Sequence, residues 1–240
     1  MKHFLYTIKK FFKDIFIYPV MTSQELSYNE YWQVKKKNCL GIPNDFQVER
    51  GEWIASRLQE ASSVIDVGCG DGSVLFVIKK IKNINASGAD VSLFILDFIQ
   101  SKGISAFFLD LSQPNAIDKI PTHDHMLLLE TLEHMAQPED FLIKSLDKVN
   151  KSVFVSIPNT GYVKHRLRMM FGRTPLQWRS HPSEHLRFWT ATDFDWWLSS
   201  LRLKNTSVVH YYAGIPVLNK IWPALFTEGI IAEIKKPTKA

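Results

Sequence analysis

The sequence predicts an α/β fold: a mostly parallel sheet with helices on both faces and an antiparallel hairpin strand near the C-terminus. Three observations predict it. Strand-like runs at 63–67, 86–90, 104–109, 125–130 and 152–157 alternate with helical stretches centred on residues 76, 96, 115 and 143. Such alternation forces right-handed βαβ crossovers, and therefore a parallel sheet with ligands at the carboxyl ends of its strands. The first strand-like run enters a glycine-rich turn, "VIDVGCGDG" at residues 64 to 72. Two late runs, 206–212 and 226–235, are joined by the short Gly/Pro-containing "AGIPVLNKIWPAL", the spacing of a hairpin.

Taken in order, the elements divide the chain into three parts. In residues 1–20, Phe4, Leu5, Ile8, Phe11, Phe12, Ile15 and Phe16 repeat at helical spacing, with Lys2, Lys9, Lys10, Lys13 and Asp14 between them. This is a basic amphipathic helix, suited to the surface of an inner membrane, to capping the domain or to pairing in a homodimer. Lysines interrupt its apolar run and no small-residue cleavage site follows, so it is not read as a secretory signal. Residues 21–44 are polar and punctuated, with "KKK" at 35–37 and Gly41 and Pro43, and read as a linker able to fold over a ligand. The domain proper is 45–240. It opens with a helix over 45–60, with Asp45 as its N-cap and Phe46, Trp53, Ile54 and Leu58 on one side. A basic insert at 158–190 leads to a helix at 191–203, and no internal repeat is visible.

Composition narrows the classes. The chain has 240 residues, 45% of them hydrophobic and 22% charged, ordinary for one globular domain with appendages. Two cysteines are too few for a disulfide framework, which points to a reducing cytoplasm. The net charge of +5 permits an anionic partner without requiring one. No run approaches the roughly 18–20 apolar residues of a membrane span.

The turn defines its ligand by exclusion. A dinucleotide fingerprint needs G-x-G-x-x-G; counting from Gly68, Gly70 fits but the third position is Ser73. A P-loop needs a lysine, and none follows Gly72. What remains is acid-x-G-x-G-x-G, with Asp66 in the strand end and Asp71 among the glycines. These carboxylates would repel a pyrophosphate and welcome a cation, such as the sulfonium and amino group of S-adenosylmethionine. Asp90 ends the second strand in "SGADVS", where an acid accepts from both ribose hydroxyls. Asp110, in "FFLDLS", ends the third and could accept from an adenine amino group.

With these motifs the chain resembles the class I S-adenosylmethionine-dependent methyltransferases over roughly residues 50 to 235. The pieces are "VIDVGCGDG", "GADVS", "FLDLS", "HDHMLLLETLEHM" and "VFVSIPN", together with "EHLRFWTATDF" before the next-to-last helix. "VFVSIPNTGYVKHRLRMMFGRTP" is similar to the MetW branch, and sugar and cell-surface-glycan methyltransferases share parts of the pattern. The resemblance implies a Rossmann-like, seven-stranded sheet with its last hairpin strand antiparallel. It implies bound S-adenosylmethionine, with Asp66, Gly68, Cys69, Gly70 and Gly72 at the methionine part. Asp90 and Val91 are implied at the ribose, Asp110 and Leu111 at the adenine, and Glu130 beside the donor. Cys69 reads as a small filler of the turn. Some 40 extra N-terminal residues set this chain apart from compact MetW proteins.

The chemistry falls to the end of the fourth strand and to the insert. "LLLETLEHM" places Glu130, Glu133 and His134 facing the donor, with His134 the candidate base for a hydroxyl acceptor; Glu133 and His185 join it as catalytic candidates. The two carboxylates and the imidazole could alternatively hold Mg²⁺ or a similar cation, although no metal is assigned. His123 and His125 have metal-like spacing but enter the strand at the opposite end, and read as solvated surface. In the insert Lys164, Arg166, Arg168, Arg173, Arg179 and Arg187 are opposed only by Glu184, with His165, His181, His185 and Trp178 interleaved. His165, Arg166, Arg173, His181 and Arg187 are therefore candidates for binding an anionic acceptor. No nucleic-acid module is recognisable. The expected function is methyl transfer to an oxygen of a small-molecule or glycan-type, anionic acceptor, as in carbohydrate or polysaccharide biosynthesis. The alternatives are a MetW-like donor-binding protein acting through a partner, and a lipid or quinone methyltransferase reached through residues 1–20.

Overall fold

The computed structural model describes residues 14–18, 28–35, 39–178 and 181–237. Most of the expected N-terminal amphipathic helix, and Arg179, lie outside the described residues. Seven strands form one sheet: β1 (Ser63–Val67), β2 (Asn85–Asp90), β3 (Ser105–Phe108), β4 (His123–Leu129), β5 (Val149–Pro158), β6 (Ser207–Tyr212) and β7 (Gly229–Lys235). Their order is β3-β2-β1-β4-β5-β7-β6. All neighbours pair in parallel except β7, which runs antiparallel to both β5 and β6. The hairpin thus inserts its second strand inside the sheet edge. The chain crosses from β3 over to β4 beside β1, so the strand order switches between β1 and β4 and a crevice opens at their carboxyl ends.

The helices are α1 (Tyr28–Lys35), α2 (Asp45–Ala55), α3 (Ser73–Ile81), α4 (Leu93–Ser101), α5 (Pro138–Asp147), α6 (Val163–Met170), α7 (Ala191–Ser200), α8 (Leu218–Ile221) and α9 (Pro223–Phe226). Central strands read as unbroken apolar runs because both faces are covered. On one face Ile65, Val67, Met126, Leu128, Val153 and Val155 pack with Phe141 and Leu142 of α5 and Phe194 and Trp197 of α7. On the other, Val64, Leu127, Leu129 and Phe154 meet Ile54 of α2, Leu75 and Ile78 of α3, and Ile95 and Ile99 of α4. The alternation of the strand pleat sorts these residues to the two cores.

Several boundaries differ from the expectation, each for a local reason. Asn44, not Asp45, caps α2: its side chain accepts from the Gln47 amide while its own amide donates to Gln47 Oε1, a reciprocal capping box. Asp45 takes the first helical position, where its charge suits the helix dipole. The expected helix near 115 is only a 3₁₀ turn over Ala116–Lys119. The stretch read as linker contains α1, whose Asn29 Oδ1 accepts from Ser92 Oγ at 2.8 Å. The expected strand at 226–235 starts at Gly229, after α8 and α9. His125 is 3% exposed, which corrects its reading as solvated surface; its Nδ1 pairs with Ser152 Oγ.

Small residues fit the sheet to its loops. A Cβ at Gly88 would lie 2.8 Å from Cys69 Sγ, so the cysteine fills space that the glycine leaves. In the insert, the Arg168 guanidinium is buried and donates to the carbonyls of Asp14, Ile15 and Ile17 as well as Thr174. Among the described residues no helix is long and apolar enough to cross a membrane.

Candidate functional site

A cleft of about 1290 Å³ lies at the carboxyl ends of the strands, at the switch point, bounded by α1 and by the insert. Its floor is the turn after β1. The Gly68 and Cys69 amides both donate to the Ala89 carbonyl, at 2.8 and 3.1 Å, which ties the turn to β2. Gly68 (φ 77°) and Gly70 (φ 50°) adopt the left-handed conformation that other residues resist. A Cβ on Gly70 would stand 2.7 Å from the Trp32 ring, and one on Gly68 3.0 Å from Thr131 Oγ1. The glycines therefore let α1 and the β4 exit close over bare backbone.

Carboxylates surround this floor. Asp66 is buried and its Oδ1 has no hydrogen-bond partner. Burial pushes its carboxyl up to about 7; the Arg50 guanidinium opposes the shift and Asp90 adds to it. Asp90 accepts from the Gly70 amide and the Ser92 amide, each at 2.9 Å, and burial still raises it. Asp110 accepts from Ser112 and Gln113, whose hydrogen bonds hold its carboxyl low. Val91 and Leu111 line the cleft beside these acids. These groups fit S-adenosylmethionine: an unpartnered buried carboxylate oxygen faces a backbone cradle that side chains would fill, and two further acids follow along the rim.

Three residues of the turn have structural work of their own. Gly72 is absent from the cleft wall; it begins α3 at φ 69°, and a Cβ there would face Ile99 and Phe76. Asp71 lines the cleft, and its carboxylate accepts from the Gly41 and Ser73 amides and from Ser73 Oγ. Cys69 lines the cleft, but burial pushes its thiol up, consistent with a filler.

Glu130 follows β4 with φ 54°, an uncommon conformation for a side-chain-bearing residue. Its Oε1 lies 3.1 Å from Arg50 Nη1, and Arg50 also donates to Ser156 Oγ at 2.7 Å. Sequence reasoning missed Arg50. It lies at the inward face of α2 and is 5% exposed, and nothing in "ERGEW" distinguishes it from a solvated arginine. Trp32 was missed for a similar reason, because only the Gly70 contact reveals its position over the turn.

The acceptor side is framed by the 3₁₀ turn Leu132–His134 and the insert. The Glu133 carbonyl accepts from the Leu186 and Arg187 amides at 2.8 and 3.0 Å, stapling the insert to the β4 exit. His134 is exposed, its Nδ1 bonded to the Glu184 carbonyl, and its ring meets His185 edge-on with centroids 4.7 Å apart. Burial lowers His185 to about 4, and the neighbouring His134 adds to the shift. His165, Trp178, His181 and His185 line the cleft. The three arginine candidates do not. Arg166 donates to the Gly161 carbonyl, Arg173 to the Phe171 carbonyl, and Arg187 to the Ala136 carbonyl with Glu139 nearby. These exposed and half-exposed guanidinium groups each satisfy a backbone carbonyl that the irregular segment leaves without a ladder partner.

A family model described as "Methionine biosynthesis protein MetW" matches residues 49–233, well over half of the chain. Among curated proteins, the (S)-tetrahydroprotoberberine N-methyltransferase of Eschscholzia californica is 28% identical, in a match covering 46% of this chain and 35% of that protein. The chain thus spans about a third of the length of the curated relative it matches. A SAM-dependent methyltransferase from Archaeoglobus fulgidus has a similar structure, with a TM-score of 0.60 at 16% identity, covering 88% of this chain and 100% of the other. The methyltransferase domain of a bacterial Hen1 gives a TM-score of 0.57 at 20% identity, covering 80% of this chain and 100% of that domain. At such identities the structural likenesses speak for the fold, and the family match speaks for descent: the chain belongs to the MetW family and has the class I S-adenosylmethionine-dependent methyltransferase fold.

Proposed function

We propose that this protein transfers a methyl group from S-adenosylmethionine to a hydroxyl oxygen of a small-molecule or glycan-type acceptor. The observation that carries the reading is the size and division of the cleft. At about 1290 Å³ it exceeds the roughly 300–1,000 Å³ of a single small-ligand site. Its donor half holds Asp66, Asp90 and Asp110, and its other half is walled by His134, Trp178 and His181. The aromatic wall suits the face of a sugar or another ring. It takes over the support that the arginines were expected to give an anionic acceptor.

When bound, S-adenosylmethionine supplies an electrophilic methyl group on a sulfonium. The chain's own residues position the partners. Asp66 would accept from the donor's amino group, Asp90 from the ribose hydroxyls, and Asp110 with Leu111 would flank the adenine. Arg50 holds Glu130 in place beside the methionine part. His134 donates Nδ1–H to the Glu184 carbonyl, which leaves Nε2 free to take the acceptor's proton. His185 packs edge-on against that imidazole, and the Glu133 carboxylate lies within 4.8 Å of both rings' ligand atoms. Positioning supplies most of the rate, because the donor is already activated.

The test is donor binding by calorimetry, followed by transfer of labelled methyl to a panel of sugars, sugar phosphates, quinols, amines and enolisable carbonyl compounds. Label on a hydroxyl compound is the expected result, and label confined to nitrogen or carbon acceptors overturns it. The description of the matched family favours a second reading, in which the chain binds the donor and acts through a partner enzyme. That version predicts donor binding with no transfer by the isolated protein.

A further inference from the structure

Glu133, His134 and His185 share a chemistry that positioning an acceptor leaves unexplained. Glu133 is fully buried, and neither of its carboxylate oxygens has a hydrogen-bond partner. An unpaired buried carboxylate is costly, and it persists where something else compensates it. Nδ1 of His185 is likewise buried and without a partner. The hydrogen bond from His134 Nδ1 to the Glu184 carbonyl selects the tautomer whose Nε2 lone pair is free to bind a ligand. One ligand atom from each of these three residues lies within 4.8 Å of the other two. The remaining carboxylate, Glu130, is held by Arg50 and stays outside the set.

We propose that Glu133, His134 and His185 bind one divalent first-row transition cation at the acceptor end of the cleft. Two imidazoles and a carboxylate suit Zn²⁺, Fe²⁺, Co²⁺ or Mn²⁺ better than the all-oxygen preference of Mg²⁺ or Ca²⁺. Bound ligand atoms stand about 3–3.5 Å apart around such ions, so side-chain rotation of about 1 Å closes the set. The backbones need not move, because the Glu133 carbonyl already anchors the Leu186 and Arg187 amides next to His185. Three protein ligands leave positions open to the cleft that these residues line. An acceptor hydroxyl taking one of them is acidified by the ion and releases its proton to solvent water, which replaces the service of His134 as base. That last step, unlike the binding of the cation, rests on the acceptor being a hydroxyl compound.

The experiment titrates chelator-treated, full-length protein with Co²⁺, read by visible d–d absorption and calorimetry, with S-adenosylhomocysteine binding measured separately. One equivalent of Co²⁺ is expected to bind. Glu133→Gln and His185→Ala should each weaken it by about 100-fold or more while S-adenosylhomocysteine still binds. His123→Ala, at the other histidine pair, should change nothing. Absence of a 1:1 complex, or titrations that ignore Glu133→Gln and His185→Ala, overturn the proposal. Should those variants fail to fold, the wild-type protein decides. Co²⁺ must shield His134 and His185, but not His123, from diethyl pyrocarbonate, and equal labelling with and without the ion overturns the site. S-adenosylhomocysteine binding with no cobalt binding refutes the cation alone; the reverse refutes the donor site alone.

Discussion

At its first residues β4 carries His123, Asp124 and His125; just past its last it delivers Glu130, Glu133 and His134. The residue types are the same, and the surroundings differ. At the entry, His123 sits between Ser87 Oγ at 3.0 Å and the Pro121 carbonyl at 2.8 Å. Asp124 accepts from the Ser63 amide at 3.0 Å and from Asn150, and the Ser63 amide holds its carboxyl below the usual range. His125 bonds Ser152, leaving only its Nε2 without a partner. At the exit, Glu133 has no partner for either oxygen, and burial holds its carboxyl well above the usual range. Nearby Asp66 keeps a bare oxygen. Supply of hydrogen-bond partners, rather than composition, separates the end that builds the fold from the end that meets ligands.

Breaking the exit should cost most. Arg50→Met removes the cation that compensates Glu130 and Asp66, and should lower stability by about 3–5 kcal/mol in urea titrations. A loss under about 1 kcal/mol would mean that the pair does not hold this end together. Asp90→Ala should weaken S-adenosylmethionine binding by about 100-fold in calorimetry, at two lost hydrogen bonds' cost to stability, about 2 kcal/mol. Unchanged affinity there would remove Asp90 from the ribose.

The next test uses pH. Asp66 titrates near 7 without the donor, and a cationic donor favours its ionised form, so binding releases a proton. Affinity should therefore fall about tenfold per pH unit below 7, and Asp66→Asn should flatten the profile. A wild-type profile already flat from pH 5.5 to 8 would count against an Asp66 contact with the donor. The entry end should respond in stability alone, and near neutral pH it should respond least. His123→Ala should cost about 1 kcal/mol and leave donor affinity unchanged. His125, lowered to about 4 by burial, protonates more readily in the unfolded chain, with its ordinary value of 6.5. Its neutral form is fully stabilising above pH 6.5, and that contribution is lost as pH falls toward 4. His125→Phe should remove about 1.4 kcal/mol per pH unit from the acid slope in that window, as thermal melts would show.

Much of this architecture was legible because it repeats. Strand periods, the glycine turn and one acid at each strand end are local signals, and β1 begins and ends where "SVIDV" does. The residues that were misread depend on partners far along the chain. Arg50 meets Glu130 across 80 positions, and the arginines of the insert look like ligand-binding groups until their carbonyl partners are known. Burial of a charged side chain such as Arg50 leaves no trace in spacing, and neither does the carbonyl that occupies the exposed Arg166. Trp32 was hidden in a stretch whose polarity read as linker, though its α1 covers the turn.

Arg168 joins pieces that are 150 residues apart. Its guanidinium gathers the carbonyls of Asp14, Ile15, Ile17 and Thr174, so the segment at 14–18 and the acceptor-side insert form one lever. Phe16 lies against Phe171 on that lever, with Ile17, Tyr18 and Met170 exposed beside them. The exposed side chains of 14–18 are thereby fastened to the segment that leads to Trp178, while the glycine turn and its acids are held by the sheet through the Ala89 carbonyl.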